Sequence, residues 1–197
     1  MKRFLAALAT AAVVISGAGV AMASSGVPEV DEANATIAVK PVSKFVPTTC
    51  AGEDGVGYVT YRGAWKGAET DVTPGSTDYN LSGRLTIKGI VWTINLQTDR
   101  GILKGKADLV GPSPAGGSVN VYLGSITLVT QGLPTAGALA SARGWISATT
   151  YTGGVADGGS LLANVEFQIG GGFTANGEFG ASMGLPDFSV ASNNQAC

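Results

Sequence analysis

Apolar residues recur at every second position over most of the chain beyond Tyr58, and that period admits half-buried β-strands and little else. Its cleanest instance lies near the C-terminus. Leu161, Ala163, Val165, Phe167 and Ile169 alternate with Leu162, Asn164, Glu166 and Gln168; Gly170-Gly171-Gly172 then turns the chain, and Phe173, Ala175, Phe179, Ala181 and Met183 alternate back. This pattern predicts an antiparallel hairpin. With Ile169 opposite Phe173, Glu166 faces Asn176 and Glu178 faces Asn164, so both carboxylates share the polar face.

Earlier segments repeat the pattern with interruptions at glycine. Leu81, Leu85 and Ile87 share one phase, and beyond Gly89 the apolar positions shift to Ile90, Trp92, Ile94 and Leu96, as a bulge or sharp bend in a long strand produces. Thr98-Asp99-Arg100-Gly101 carries turn chemistry, with Gly101 where a left-handed residue would close a short hairpin onto Leu103, Ala107 and Leu109. Val119, Val121 and Leu123 give way to Ile126 and Leu128 across Gly124, and a further β-rich run covers Leu139 to Thr152. Thirty glycines and only 13% charged residues suit strands joined by tight turns. The expectation is an all-β, antiparallel, up-and-down β-barrel-like domain of about seven or eight strands after Cys50, with a β-sandwich as the alternative. Successive hairpins favour up-and-down neighbours, glycine bends allow coiling, and closure removes exposed edges.

The start of the chain has a different character. Lys2 and Arg3 precede an apolar run from Phe4 to Ile15 and a small-x-small site at Ala21-Met22-Ala23, which reads as a signal peptide over 1–23, cleaved after Ala23. The expected location is secreted, or extracellular. The run is shorter than the ~20 residues needed to cross a bilayer, so stable membrane insertion is not expected. Residues 24–49 hold Pro28, Pro41 and Pro47, the acids Glu29, Asp31 and Glu32, and one short β-like run, Thr36-Ile37-Ala38-Val39. They read as a flexible N-terminal arm ahead of a single domain over 50–197. In an exported chain, the two cysteines, Cys50 and Cys197, are expected to form a disulfide that closes a loop of about 148 residues.

Composition narrows the chemistry. The chain has no histidine, which removes Ser-His-Asp and Cys-His catalysis and every His-ligated metal site. No phosphate-binding loop is present, so no cofactor is expected, and no metal either: Asp71, Ser76 and Asp78, or Glu53-Asp54, match no dedicated calcium loop and read as turn acids. Loss of Lys2 and Arg3 leaves a net charge of about -4, and no cation follows Arg143, so nucleic acid is not an expected partner.

Trp65 and Trp92 fall on apolar phases and read as core. Trp145 sits differently, on a face with Arg143, Ser147, Thr149 and Tyr151, while the other face of the same strand is Ala140, Ala142, Gly144, Ile146 and Ala148. Turned inward, the mixed face would line a cavity for a small amphipathic molecule or a glycan; turned outward, it would be a surface ridge. Tyr79-Asn80-Leu81-Ser82-Gly83-Arg84 is locally similar to a strand of the avidin-type biotin-binding barrels; over six residues that likeness is one of barrel grammar and assigns no ligand contact. The expected function is that of a secreted, non-catalytic β-barrel acting as a small-ligand-binding or extracellular structural protein. The alternative is a carboxylate-dependent hydrolase or isomerase of carbohydrate or lipid, using acids such as Glu166 and Glu178.

Overall fold

The computed structural model describes residues 34–52, 55–72, 81–113, 116–134, 137–151 and 159–180. Nine strands follow in chain order: β1 (Ala35–Pro41), β2 (Val46–Ala51), β3 (Gly57–Asp71), β4 (Gly83–Asn95), β5 (Arg100–Pro112), β6 (Ser118–Gln131), β7 (Ala140–Tyr151), β8 (Gly159–Ile169) and β9 (Ala175–Phe179). From β3 onward each strand pairs antiparallel with the next, β9 pairs with β1, and β1 pairs back to β3. The result is a closed eight-stranded antiparallel barrel with β2 as an extra strand, as the alternation and hairpin grammar predict.

The closing strand comes from the segment read as an arm. Ala35, Ile37 and Val39 are buried while Thr36, Ala38 and Lys40 face outward, so a seven-residue strand fits between β9 and β3. That run is short and bounded by prolines, which is why it reads as an arm in isolation. β2 then follows along the same edge of β3, pairing with Gly57 to Arg62 where β1 pairs with Trp65 to Asp71. The changeover coincides with a register shift between Gly63 and Trp65.

The predicted phase changes are real. The β4–β5 register shifts between Lys88 and Val91, with Gly89 at φ 60°, and the β6–β7 register shifts between Leu123 and Gly124. Two turns differ from expectation. In the β4–β5 hairpin the left-handed residue is Asp99, at φ 54°, and Gly101 lies within β5; Asn95 Oδ1 accepts from the backbone N–H groups of Gln97 and Thr98, holding the turn one step earlier. In the β8–β9 hairpin Ile169 stands opposite Ala175, not Phe173. Gly170 and Thr174 form the neck of a longer turn in which Gly172 and Phe173 both take positive φ, moving the register by two.

Phe173 gains an aromatic seat by leaving the ladder. Its ring packs at 4.8–5.4 Å from those of Phe45, Tyr61 and Trp92, and its carbonyl accepts a 2.7 Å hydrogen bond from Trp65 Nε1. Trp92 Nε1 donates to Thr130 Oγ1 at 2.9 Å, so both buried indoles are satisfied. One end of the barrel is thereby plugged. Further along, Leu85, Leu103, Ile126, Leu128, Ile146, Phe167 and Ile169 have no accessible surface and belong to one contiguous core cluster. A lumen wide enough for water would leave accessible surface on these side chains; the interior is packed, as small barrels permit.

Candidate binding surface

Of the two orientations open to the mixed face of β7, cavity lining or surface ridge, the described residues take the outward one. Ala140, Ala142, Ile146 and Ala148 are buried in the core, whereas Arg143 is exposed and Trp145 and Ser147 are half-buried on the outside of β7. The reason is volume: the interior already holds Trp65, Trp92, Tyr122, Phe167 and Phe179, and opposite them only small β7 residues fit. Arg143 reaches across to β8, where its Nη2 donates to Glu166 Oε1 at 3.1 Å. Thr149 and Tyr151 lie on the same strand, but their side chains fall outside the described residues, as do Cys197, residues 1–33, Glu53-Asp54, Ser76 and Asp78. Cys50 sits on β2 opposite Tyr58, at the far end of that strand.

A depression lies instead on the outer surface of β8, β9, β1 and β3. Its volume is about 590 Å³. Register arranges its outward side chains in two rows across the strands: Glu166, Glu178, Thr36 and Thr70 in one, and Gln168, Asn176, Ala38 and Ala68 in the other. Glu166 therefore faces Glu178 directly, which corrects the pairing with Asn176 and follows from the longer turn. Like charges directly opposite repel, and Arg143 offsets that repulsion at Glu166.

Two inward-facing glycines lie beneath this surface. A Cβ at Gly67 would overlap the carbonyl oxygen of Ala38, and one at Gly177 would overlap that of Glu166 and the ring of Phe167. With no side chain at these two inward positions, the backbones of β3 and β9 lie close against the neighbouring strands β1 and β8. The sequence alone does not single out Thr36, Ala38, Ala68 and Thr70: the first two lie on β1, whose local signal is the alternation of Thr36-Ile37-Ala38-Val39, and the last two face them from β3.

Glu69 and Tyr122 form a buried ionisable pair inside the barrel. Glu69 shares its phase with Trp65, is 1% exposed, and accepts a hydrogen bond from Tyr122 Oη. Burial pushes its carboxyl up to about 8; the Tyr122 hydrogen bond pulls the other way and the neighbouring Asp71 adds to the rise. Burial, the charge of Glu69 and the hydrogen bond to it hold the Tyr122 phenol well above its usual range. Tyr122 reaches the interior because Val121 and Tyr122 both turn inward at a β5–β6 register shift, and alternation alone does not signal this. Among the described residues no group of three or more His, Cys, Asp or Glu is placed to hold a metal ion. Comparison with protein-family models, with curated proteins and with solved structures finds no match.

Proposed function

We propose that this protein is an exported, non-catalytic barrel that binds a polar ligand, best a glycan, in the depression over β8, β9, β1 and β3. The packed interior carries the reading, because a barrel without a lumen has to act through its outside. A volume of about 590 Å³ falls within the ~300–1,000 Å³ of small-molecule sites. The amides of Gln168 and Asn176 each offer donors and acceptors, as do the hydroxyls of Thr36 and Thr70, which suits a ligand rich in hydroxyl groups. The methyl groups of Ala38 and Ala68 leave the centre of the floor low enough for a ring to rest on. Export rests on the N-terminal basic and apolar segments and the Ala21-Met22-Ala23 site. A glycan array probed with wild type and with Ala68→Trp, which fills the depression from an exposed position, tests the reading. Binding that the tryptophan abolishes supports it; binding that the tryptophan leaves intact, or no binding at all, contradicts it.

A second reading draws on the direct opposition of Glu166 and Glu178. Directly opposed strand residues have Cβ atoms ~5 Å apart, compatible with the carboxyl spacing of retaining glycosidases. Arg143 already engages Glu166, so Glu178 is the freer acid. Turnover of glycan or ester substrates, lost in Glu178→Gln, would favour this reading over simple binding.

A further inference from the structure

Three residues on the outside of β3 and β4 are buried. Tyr58 (1% exposed) and Thr60 (0%) flank Val59, and Thr93 (6%) stands between Trp92 and Ile94; Val59, Trp92 and Ile94 belong to the core, so the other three point outward. Cys50 pairs directly with Tyr58 and shares that outer face. Among the described residues every strand lies in the barrel wall or along the edge of β3, so none covers this face. A tyrosine outside the wall keeps so little exposure only beneath another layer of chain.

We propose that this layer is residues 181–197, strapped obliquely across the outside of β8, β7, β6, β5 and β4 and closing on Cys50 through Cys197. The route follows from reach. Gly180 N–H donates to the Asn164 carbonyl, and the registers carry that level through Trp145, Thr127, Lys104, Val91 and Arg62 to Val46, four residues short of Cys50. This way crosses seven strand spacings, about 34 Å, and climbs about 13 Å along the strands. The opposite way, over β1, crosses one spacing and climbs fourteen residues, from Val72 beside Asn34 to Tyr58, about 46 Å. Together the two ways close a cylinder about 50 Å around with strands tilted about 40°, so Cys50 stands roughly a third of a turn from Gly180 by the first and two thirds by the second. A chain riding ~10 Å outside the wall covers roughly 50 Å by the first and roughly 80 Å by the second. Seventeen residues take Gly180 to Cys197 and span at most about 60 Å, and the packed core closes the way through the middle. Only the first way is open. Ser24 to Ala33, which also start beside Gly180, reach about 35 Å once the signal peptide is removed, too short to cover Tyr58.

The order of residues in the segment suits this path. Met183, Leu185, Phe188 and Val190 come first, where it crosses the half-buried Trp145 and Ile102; Ser192 to Gln195 come last, where it meets the hydroxyls of Thr93 and Tyr58. The proposal rests on the Cys50–Cys197 disulfide expected of an exported chain, formed as two thiols release two protons and pass two electrons to a disulfide oxidant of that compartment. It does not rest on the ligand reading, because the strap leaves Thr36, Ala38, Ala68 and Thr70 uncovered.

Proton NOE spectroscopy of the oxidised, signal-free protein tests it. Cross-peaks are expected from the Trp145 indole to side chains between Met183 and Phe188, and from the Tyr58 ring to residues between Ser192 and Gln195. In Cys197→Ser the Tyr58 cross-peaks should be lost and iodide quenching of Trp145 should rise at least about twofold; the wild-type cross-peaks decide even where that variant fails to fold. No contact between the segment and Trp145, contacts to Thr36 or Ala38 instead, a different segment over Tyr58, or a folded Cys197→Ser with unchanged spectra would each overturn the proposal. So would two free thiols in the folded protein. Glycan-array binding is scored separately, so loss of one result leaves the other standing.

Discussion

Tyr122 donates its phenolic hydroxyl to Glu69 Oε2 at 2.5 Å inside the barrel, and among the described residues Glu69 Oε1 has no hydrogen-bond partner. A carboxyl in this position is far easier to bury protonated than ionised. With its folded pKa raised from 4.5 to about 8, the stability it allows is complete below about pH 4.5, where the unfolded chain is protonated too, and is lost as pH rises toward 8. Above that value the loss is complete.

The first prediction follows from that sign. Denaturant unfolding at pH 4.5 and pH 8.5 should show wild type losing about 3–5 kcal/mol more than Glu69→Gln across the interval, because glutamine cannot ionise. Parallel pH profiles for the two proteins would contradict the assignment of a neutral buried Glu69.

Gly67 supplies the second. Its place beside the Ala38 carbonyl leaves no room for a methyl group, so Gly67→Ala should lower unfolding stability by about 2 kcal/mol or more. A change of less than ~0.5 kcal/mol would mean that β1 and β3 adjust freely there, and the close approach of the two strands at Gly67 would not be obligatory.

The third concerns tryptophan. Trp65 and Trp92 have no accessible surface and Trp145 is half-buried on the outside, so iodide should quench one emission component, and Trp145→Phe should remove it. Native emission that resists iodide entirely would contradict the outward placement of Trp145.

The fourth concerns the ends of the chain. Export and pairing of Cys50 with Cys197 predict that secreted material begins at Ser24 and gains no mass on alkylation without reductant. Two alkylated cysteines in folded, secreted protein would refute the disulfide.

The sequence made some features of this molecule legible because their physics is local. Strict alternation places Val165, Phe167 and Ile169 in the core, and a phase change at Gly89 or Gly124 needs only neighbouring residues to be read. The features it concealed depend on what lies across the barrel. Which face of β7 turns inward is decided by the bulk of Trp65, Trp92 and Phe167, and the opposition of Glu166 and Glu178 by where Phe173 finds its aromatic neighbours. Thr36 and Ala38 join the depression only because β1 closes the ring, a contact with β9 that is far removed in sequence.

The central claim, that a packed barrel acts through its outer depression, is tested most directly by backbone-amide NMR shifts during titration with a panel of soluble oligosaccharides. The account predicts perturbations concentrated at Thr36, Ala38, Thr70, Gln168 and Asn176, with the amides of the inward-facing residues Leu128, Ala142 and Ile146 unmoved. Perturbations centred on those inward residues, or none anywhere with the whole panel, would contradict it.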